Sequence, residues 1–175
     1  MVELERGYTQ VYTGDGKGKT TAALGLTLRA IGYNLKIFIA QFIKGMEYNE
    51  IKALREFKDN VTIKQYGKGC FIRKKPSEAD IKMAENGLKE IRQVLTSGIY
   101  NIVILDEINV ALHFNLIKVK DLVEIIKAKP EKVELILTGR KAKKEILEIA
   151  DLVTEMKEIK HYYTRGVMAR EGIEK

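Results

Sequence analysis

Thr13-Gly14-Asp15-Gly16-Lys17-Gly18-Lys19-Thr20-Thr21 follows the apolar run Tyr8 to Tyr12 and opens directly into a helical pattern. A strand, a glycine-rich turn and a helix form the common backbone arrangement that cradles nucleotide phosphates. Gly14, Gly16 and Gly18 let the chain coil so that successive N–H groups converge on an anion. Lys19 supplies a point charge for the phosphates, and the Thr20 hydroxyl a ligand for a magnesium ion. The usual loop carries a glycine five residues before Gly18; this chain has Thr13 there, with glycines at alternate positions instead. A plain glycine turn has no need of Lys-Thr opening a helix, so the nucleotide reading is favoured.

Outward from the loop, short apolar runs alternate with helical patterns. Strands are expected at Tyr8–Thr13, Lys36–Gln41, Val61–Tyr66, Asn101–Asp106, Val133–Thr138 and Leu152–Met156. Helices are expected at Lys19–Ile31, Tyr48–Lys58, Ser77–Ser97, Lys118–Lys127 and Ala142–Ala150. Several strands are apolar on both faces, the mark of parallel strands buried between two helix layers. Ser77 reads as an N-cap, and Gly32 and Gly98 as helix terminators. The order predicts an α/β fold: a three-layer α/β/α, P-loop NTPase-like sandwich with a mostly parallel sheet of about six strands. Its 175 residues read as one domain, 1–175, with no repeat, linker or low-complexity tract.

Ile102-Val103-Ile104-Leu105-Asp106-Glu107 is an apolar strand ending in two acids. It brings negative charge to the sheet edge that holds the phosphate loop, where ligands of such sheets bind. With Lys19 and Thr20 this points to ATP with magnesium held between Thr20 and the Asp106/Glu107 pair, manganese being the alternative ion. No Asn-Lys-x-Asp stretch of a guanine site is present.

Composition sets the outer bounds. The chain is 45% hydrophobic and 31% charged, as in a soluble globular protein. No apolar run approaches the roughly 20 residues of a membrane span, and no signal-peptide pattern opens the chain, so no membrane association is expected. One cysteine, Cys70, excludes an intrachain disulfide and fits a reducing cytoplasm. A net charge of +7 suits an anionic ligand or an acidic partner, and equally describes a solvated surface of mixed lysines and glutamates. With no aromatic–basic interleaving and no recognition-helix signature, nucleic acid is not expected as a partner.

Further segments agree with one family. Gln41-Phe42-Ile43-Lys44-Gly45 follows the second strand, and Leu137-Thr138-Gly139-Arg140 ends the fifth. Ile149-Ala150-Asp151-Leu152-Val153-Thr154-Glu155-Met156 follows, and the chain closes with Lys160-His161-Tyr162-Tyr163, Gly166, Ala169 and Gly172-Ile173. Together with the loop and Leu-Asp-Glu, this resembles the P-loop family of ATP:cob(I)alamin, or corrinoid, adenosyltransferases from about Gly7 to Ile173. The resemblance implies transfer of the 5′-deoxyadenosyl group of ATP to the Co(I) of a reduced corrinoid, with release of triphosphate, in adenosylcobalamin synthesis or salvage. It places Gly14, Asp15, Gly16, Lys17, Gly18, Lys19, Thr20 and Thr21 around the triphosphate, and Thr20 and Glu107, with Asp106, at the metal. Arg29, Gln41 and Lys44 are further polar contacts to the nucleotide.

No nucleophilic serine, Cys–His pair or general base is evident, and this reaction needs none, because cobalt(I) is itself the nucleophile. Lys19 neutralises charge on the departing triphosphate. Many members carry a Phe-x-Trp segment after the third strand that presses on the lower corrin face; this chain has no tryptophan, and Phe71 or Ile72 takes that place. Members often have Asn where this loop has Asp15, whose side chain is expected to point outward. The family tail approaches the active site, which makes His161 a candidate for the corrinoid. Because Co(II) must be reduced first, a flavoprotein electron donor is implied, as is a homodimer. His113, Cys70 and the run Arg73-Lys74-Lys75 read as ordinary packing or surface residues. The alternative is a P-loop ATPase or small-molecule kinase, which releases phosphate or phosphorylates a substrate rather than releasing whole triphosphate.

Overall fold

Burial on both faces organises the molecule. In β2 (Ile37–Lys44), Ile37 and Ile39 join one apolar cluster while Phe38, Ala40 and Phe42 join another, as a two-residue period requires. The computed structural model describes residues 2–69 and 76–174. Six strands form one sheet, β1 (Thr9–Thr13), β2, β3 (Val61–Gly69), β4 (Ile102–Asp106), β5 (Glu134–Thr138) and β6 (Leu152–Glu155). Their order is β3-β2-β4-β5-β1-β6 and every pairing is parallel.

One face packs on α1 (Lys19–Gly32) and α2 (Asn49–Leu54) through Ala23, Ala30 and Leu54. The other packs on α3 (Glu78–Thr96), α4 (Ile108–His113), α5 (Val119–Lys127) and α6 (Lys144–Ile149) through Leu88, Ile91, Leu112, Ile125 and Ile146. The three-layer sandwich expected from the alternation is therefore present. The β4 run Ile102 to Asp106 is buried throughout, whereas all four residues of the edge strand β6 are exposed.

Local chemistry accounts for the boundaries. Ser77 caps α3 in a reciprocal box: its hydroxyl accepts from the Asp80 N–H, and the Asp80 carboxylate accepts from the Ser77 N–H. Gly98, at φ 70°, ends that helix as expected. α1 ends on Gly32, next to the expected Ile31, but the left-handed turn that closes it falls two residues later, where Asn34 sits at φ 58° and the Leu35 N–H closes on the Ala30 carbonyl. Asn tolerates that conformation through its short polar side chain. The expected Tyr48–Lys58 helix shortens to α2 followed by a 3₁₀ turn at Arg55–Phe57. The helix α4 was not anticipated: it starts one residue after β4, on Glu107 at φ 60°.

Candidate active site

Register brings the polar strand ends together. Gln41 on β2 lies opposite Asp106 on β4, Leu105 opposite Leu137 on β5, and Tyr12 on β1 opposite Thr138. The carboxyl ends of four neighbouring strands thus deliver Gln41, Asp106, Thr138 and the phosphate loop to one edge.

Gly14 and Gly18 adopt φ 92° and 116°, conformations that side chains disfavour. The loop also leans on the chain just after β6: the Gly16 N–H donates to the Met156 carbonyl at 2.7 Å. A Cβ on Gly14 or Gly16 would stand 2.5 or 2.6 Å from that carbonyl oxygen, so the glycines serve this contact as well as the coil. Lys19 is buried, and its ammonium donates to the carbonyls of Gly14 at 2.7 Å and Gly16 at 2.5 Å. Burial, with Arg140 nearby, lowers its pKa below the ordinary lysine value.

Asp106 is the buried hub. Its Oδ1 accepts from the hydroxyls of Thr20 at 2.8 Å and Thr138 at 2.7 Å; its Oδ2 accepts from Lys44 at 2.8 Å and Gln41 at 3.3 Å. Lys44 reaches it because β2 bulges between Phe42 and Lys44, with Ile43 at φ 67°. Burial opposes the Lys44 charge, yet the Asp106 carboxylate holds its pKa above the ordinary value. Gln41 in turn accepts from Gln65. Glu107 is pushed up by burial and by the Asp106 charge, against the pull of Lys44, Lys19 and Arg140.

These groups border a cavity of about 860 Å³, a size ordinary for a small-molecule site. Its floor is Gly16 to Thr21; one wall carries Ile43, Lys44, Tyr48 and Glu50, and the other Glu107, Val110, Phe114 and Arg140. The C-terminal segment forms the third side through His161, Gly172, Ile173 and Glu174. It is latched at the loop, where Lys17 donates to Tyr162 Oη at 3.2 Å, the Ile173 carbonyl at 3.0 Å and the Glu174 carboxylate at 2.7 Å. Arg170 lies over the Tyr162 ring at 4.9 Å and, with Lys17 and Tyr162, holds the Glu174 carboxyl well below the usual carboxylate range. A second tie runs from Asn49 to Glu171 at 2.8 Å.

The residues singled out from sequence divide accordingly. Gly16 to Thr21, Lys44, Glu107 and His161 line the cavity; Gln41 and Asp106 lie buried, Gln41 donating to Asp106, which also accepts from Thr20 and Lys44. Gly14 accepts from Lys19 beneath the loop, and Asp15 turns to solvent, 3.9 Å from the equally exposed Lys141. Arg29 is exposed in the last turn of α1, about 15 Å along the helix from Lys19 at 1.5 Å per residue, and does not border the cavity. Phe71, Ile72, Cys70 and Arg73-Lys74-Lys75 lie outside the described residues. His161 also accepts the Tyr163 N–H through Nδ1, and His113 stands exposed against the Phe114 ring.

Tyr48, Arg140, Glu174 and the buried Thr138 were not singled out as site residues. The Thr-Gly-Arg turn after β5 was a usable signal, since it ends a strand at the phosphate-loop edge; nothing in the tail marks Glu174. A metal fits on the chemistry of the donors. Among the described residues no three His, Cys, Asp or Glu side chains cluster as a self-sufficient site. The Glu107 carboxylate and the Thr20 hydroxyl, both lining the cavity, are donors of the kind that an ion completed by phosphates and water uses.

Residues 5–174 match the family model of the ATP:corrinoid adenosyltransferases BtuR/CobO/CobP. The chain is 37% identical over 173 residues to a corrinoid adenosyltransferase of Sinorhizobium sp, covering 97% of this chain and 81% of that protein. It is 35% identical over 171 residues to one of Pseudomonas aeruginosa, with 97% and 84% covered. A corrinoid adenosyltransferase of Escherichia coli (strain K12) is 33% identical over 170 residues, with 97% and 86% covered.

Proposed function

This chain belongs to the ATP:corrinoid adenosyltransferase family and is a transferase; on that premise we propose how its cavity moves the 5′-deoxyadenosyl group of ATP to a Co(I) corrinoid. The triphosphate lies along Gly14 to Thr21, its oxygens exchanging with the loop carbonyls for the Lys19 ammonium. Lys17, Lys44 and Arg140 add positive charge around it. Thr20 and Glu107 would hold magnesium, or manganese, which when bound would neutralise charge on the triphosphate. Asp106 takes part by fixing the Thr20 hydroxyl rather than by ligating, since both its oxygens already accept two donors each.

The cobalt(I) lone pair attacks C5′, the C5′–O bond breaks, and its electron pair leaves on the triphosphate. No proton moves, so the site's task is alignment, charge compensation and exclusion of water. The apolar side chains of Leu24, Ile43, Val110 and Phe114 beside the loop suit that exclusion. The single observation carrying the reading is that Lys19, Thr20, Glu107 and Arg140 converge on one cavity at the carboxyl edge of the sheet.

The proposal extends to a flavoprotein that reduces Co(II), for which the +7 chain favours an acidic partner, to a homodimer as in the family, and to a cytoplasmic setting. No helix among the described residues is long and apolar enough to cross a membrane. Phosphorus spectroscopy of the products, after incubation with ATP, magnesium and reduced corrinoid, tests the reading. Intact triphosphate supports it; ADP or free phosphate in its place assigns the cavity to an ATPase or kinase.

A further inference from the structure

Thr138 ends β5 between the strands that carry the phosphate loop and Asp106, and its side chain is wholly buried. Its oxygen accepts the Glu107 N–H at 3.0 Å and its hydroxyl donates to Asp106 Oδ1 at 2.7 Å. The first contact engages the oxygen as acceptor, so the hydroxyl proton is free to point at Asp106. The same Oδ1 receives the Thr20 hydroxyl at 2.8 Å. One continuous chain therefore runs from the Glu107 N–H through Thr138 and Asp106 to Thr20. It ends at both candidate metal ligands.

Each end needs holding. Glu107 sits at φ 60°, ψ 19°, a left-handed conformation that a glutamate adopts only where its surroundings enforce it. The Thr138 oxygen pins the backbone N–H at that very residue, which aims the Glu107 side chain along the cavity wall. At the other end, a Thr20 hydroxyl committed to Asp106 turns its lone pairs away from that carboxylate. Without the Thr138 donor, Oδ1 of Asp106 keeps Thr20 alone, and a carboxylate then held at Oδ2 by Lys44 and Gln41 fixes the Thr20 hydroxyl less tightly. A valine of the same shape would fill this buried position, so the hydroxyl is what the position requires.

We infer that Thr138 is a positioning residue for metal–triphosphate binding: a single hydroxyl that orients Glu107 directly and Thr20 through Asp106. The inference rests on the proposed role of Thr20 and Glu107 as metal ligands. Residues one step removed from metal ligands change metal affinity by roughly 10- to 100-fold when altered.

Calorimetric titration of ATP, once with excess magnesium and once with EDTA, gives the gain in affinity that the metal confers. Thr138→Val is expected to reduce that gain by roughly 10- to 100-fold while ATP binding in EDTA changes little. Thr138→Ala covers the case in which valine does not fold, and Thr138→Ser is expected to restore the gain. Paramagnetic resonance of manganese with ATP, which counts free ion, should follow the same order. An undiminished gain in the valine or alanine variant overturns the inference, as does a serine variant no better than alanine, or an equal loss with and without metal. A wild-type protein that binds ATP equally well with and without magnesium removes the metal reading itself, and the inference with it.

Discussion

Lys44→Met separates the charge of Lys44 from its bulk. In the native protein the Lys44 ammonium stands 2.8 Å from Asp106 Oδ2, with side-chain exposures of 15% and 2%. At an effective dielectric of 20 that separation corresponds to about 6 kcal/mol of gross attraction. Desolvation offsets much of it, and breaking such a pair from one side typically costs about 3–5 kcal/mol, because the remaining charge stays buried. Asp106 keeps the Thr20, Thr138 and Gln41 donors, which sets the expectation at the lower end, about 3 kcal/mol. For a chain of this size that is a fall in Tm of about 6–12 °C.

Urea unfolding followed by circular dichroism measures it. Asp106→Asn in the same background should recover part of the loss, with a coupling of about 1–3 kcal/mol. The pH dependence has a definite sign. The Lys44 pKa is raised above 10.5 in the folded state, so its contribution is complete below that value and fades as pH climbs through the folded pKa. The gap between wild type and Lys44→Met should therefore hold from pH 7 to pH 10 and narrow only above. A loss below about 1 kcal/mol, or no coupling to Asp106→Asn, refutes the buried-pair reasoning.

Other consequences are separately measurable. Lys19→Ala should lower adenosyl transfer by roughly 10²- to 10³-fold, as expected for removal of one preorganised charge-stabilising donor, with cooperative unfolding retained; unchanged turnover removes the loop from the reaction. Gly87→Ala should destabilise by about 1–3 kcal/mol despite alanine's better helix propensity. The new Cβ would stand 2.7 Å from the Tyr66 ring, which the Glu90 hydrogen bond and Phe42 hold in place; a more stable variant contradicts this. Glu174→Gln should loosen the C-terminal latch and speed proteolysis of the tail at neutral pH. Because the Glu174 carboxyl is depressed below 4.5, the wild-type latch is present above that value and fails only as pH falls through the lowered pKa; equal cleavage of both proteins at pH 5 speaks against it.

The strands were legible within three residues because short runs rich in apolar residues, two-sided where the sheet is buried, admit few other readings. The helix α4 was not legible. Its six residues follow Glu107 without a loop, and their apolar content merges with the strand before them. Gly32 marked the end of α1, but the left-handed residue that closes the turn is Asn34, which the hydrogen bond from Leu35 to Ala30 places there and no sequence pattern singled out.

Site residues divide the same way. Those carried by a contiguous motif, Lys19, Thr20 and Glu107, could be read from their spacing. Thr138 and Arg140 depend on strand order, which sets β5 between β1 and β4. Arg29 shows the converse case: it is exposed and does not border the cavity, since a helix carries a residue away from its own N-terminus by 1.5 Å per position. The partnership of Lys17 with Glu174 joins residues 157 positions apart and leaves no local trace.

The central claim is that the phosphate-loop cavity directs attack by cobalt on C5′ of ATP. An anaerobic single-turnover experiment with cob(I)alamin, ATP and magnesium tests it most directly, counting cobalt–carbon bonds by their light-sensitive spectrum and triphosphate in the same sample. The expected result is one intact triphosphate for each bond formed, both lost together in Lys19→Ala. An unchanged corrinoid spectrum with phosphate or ADP released would contradict the account.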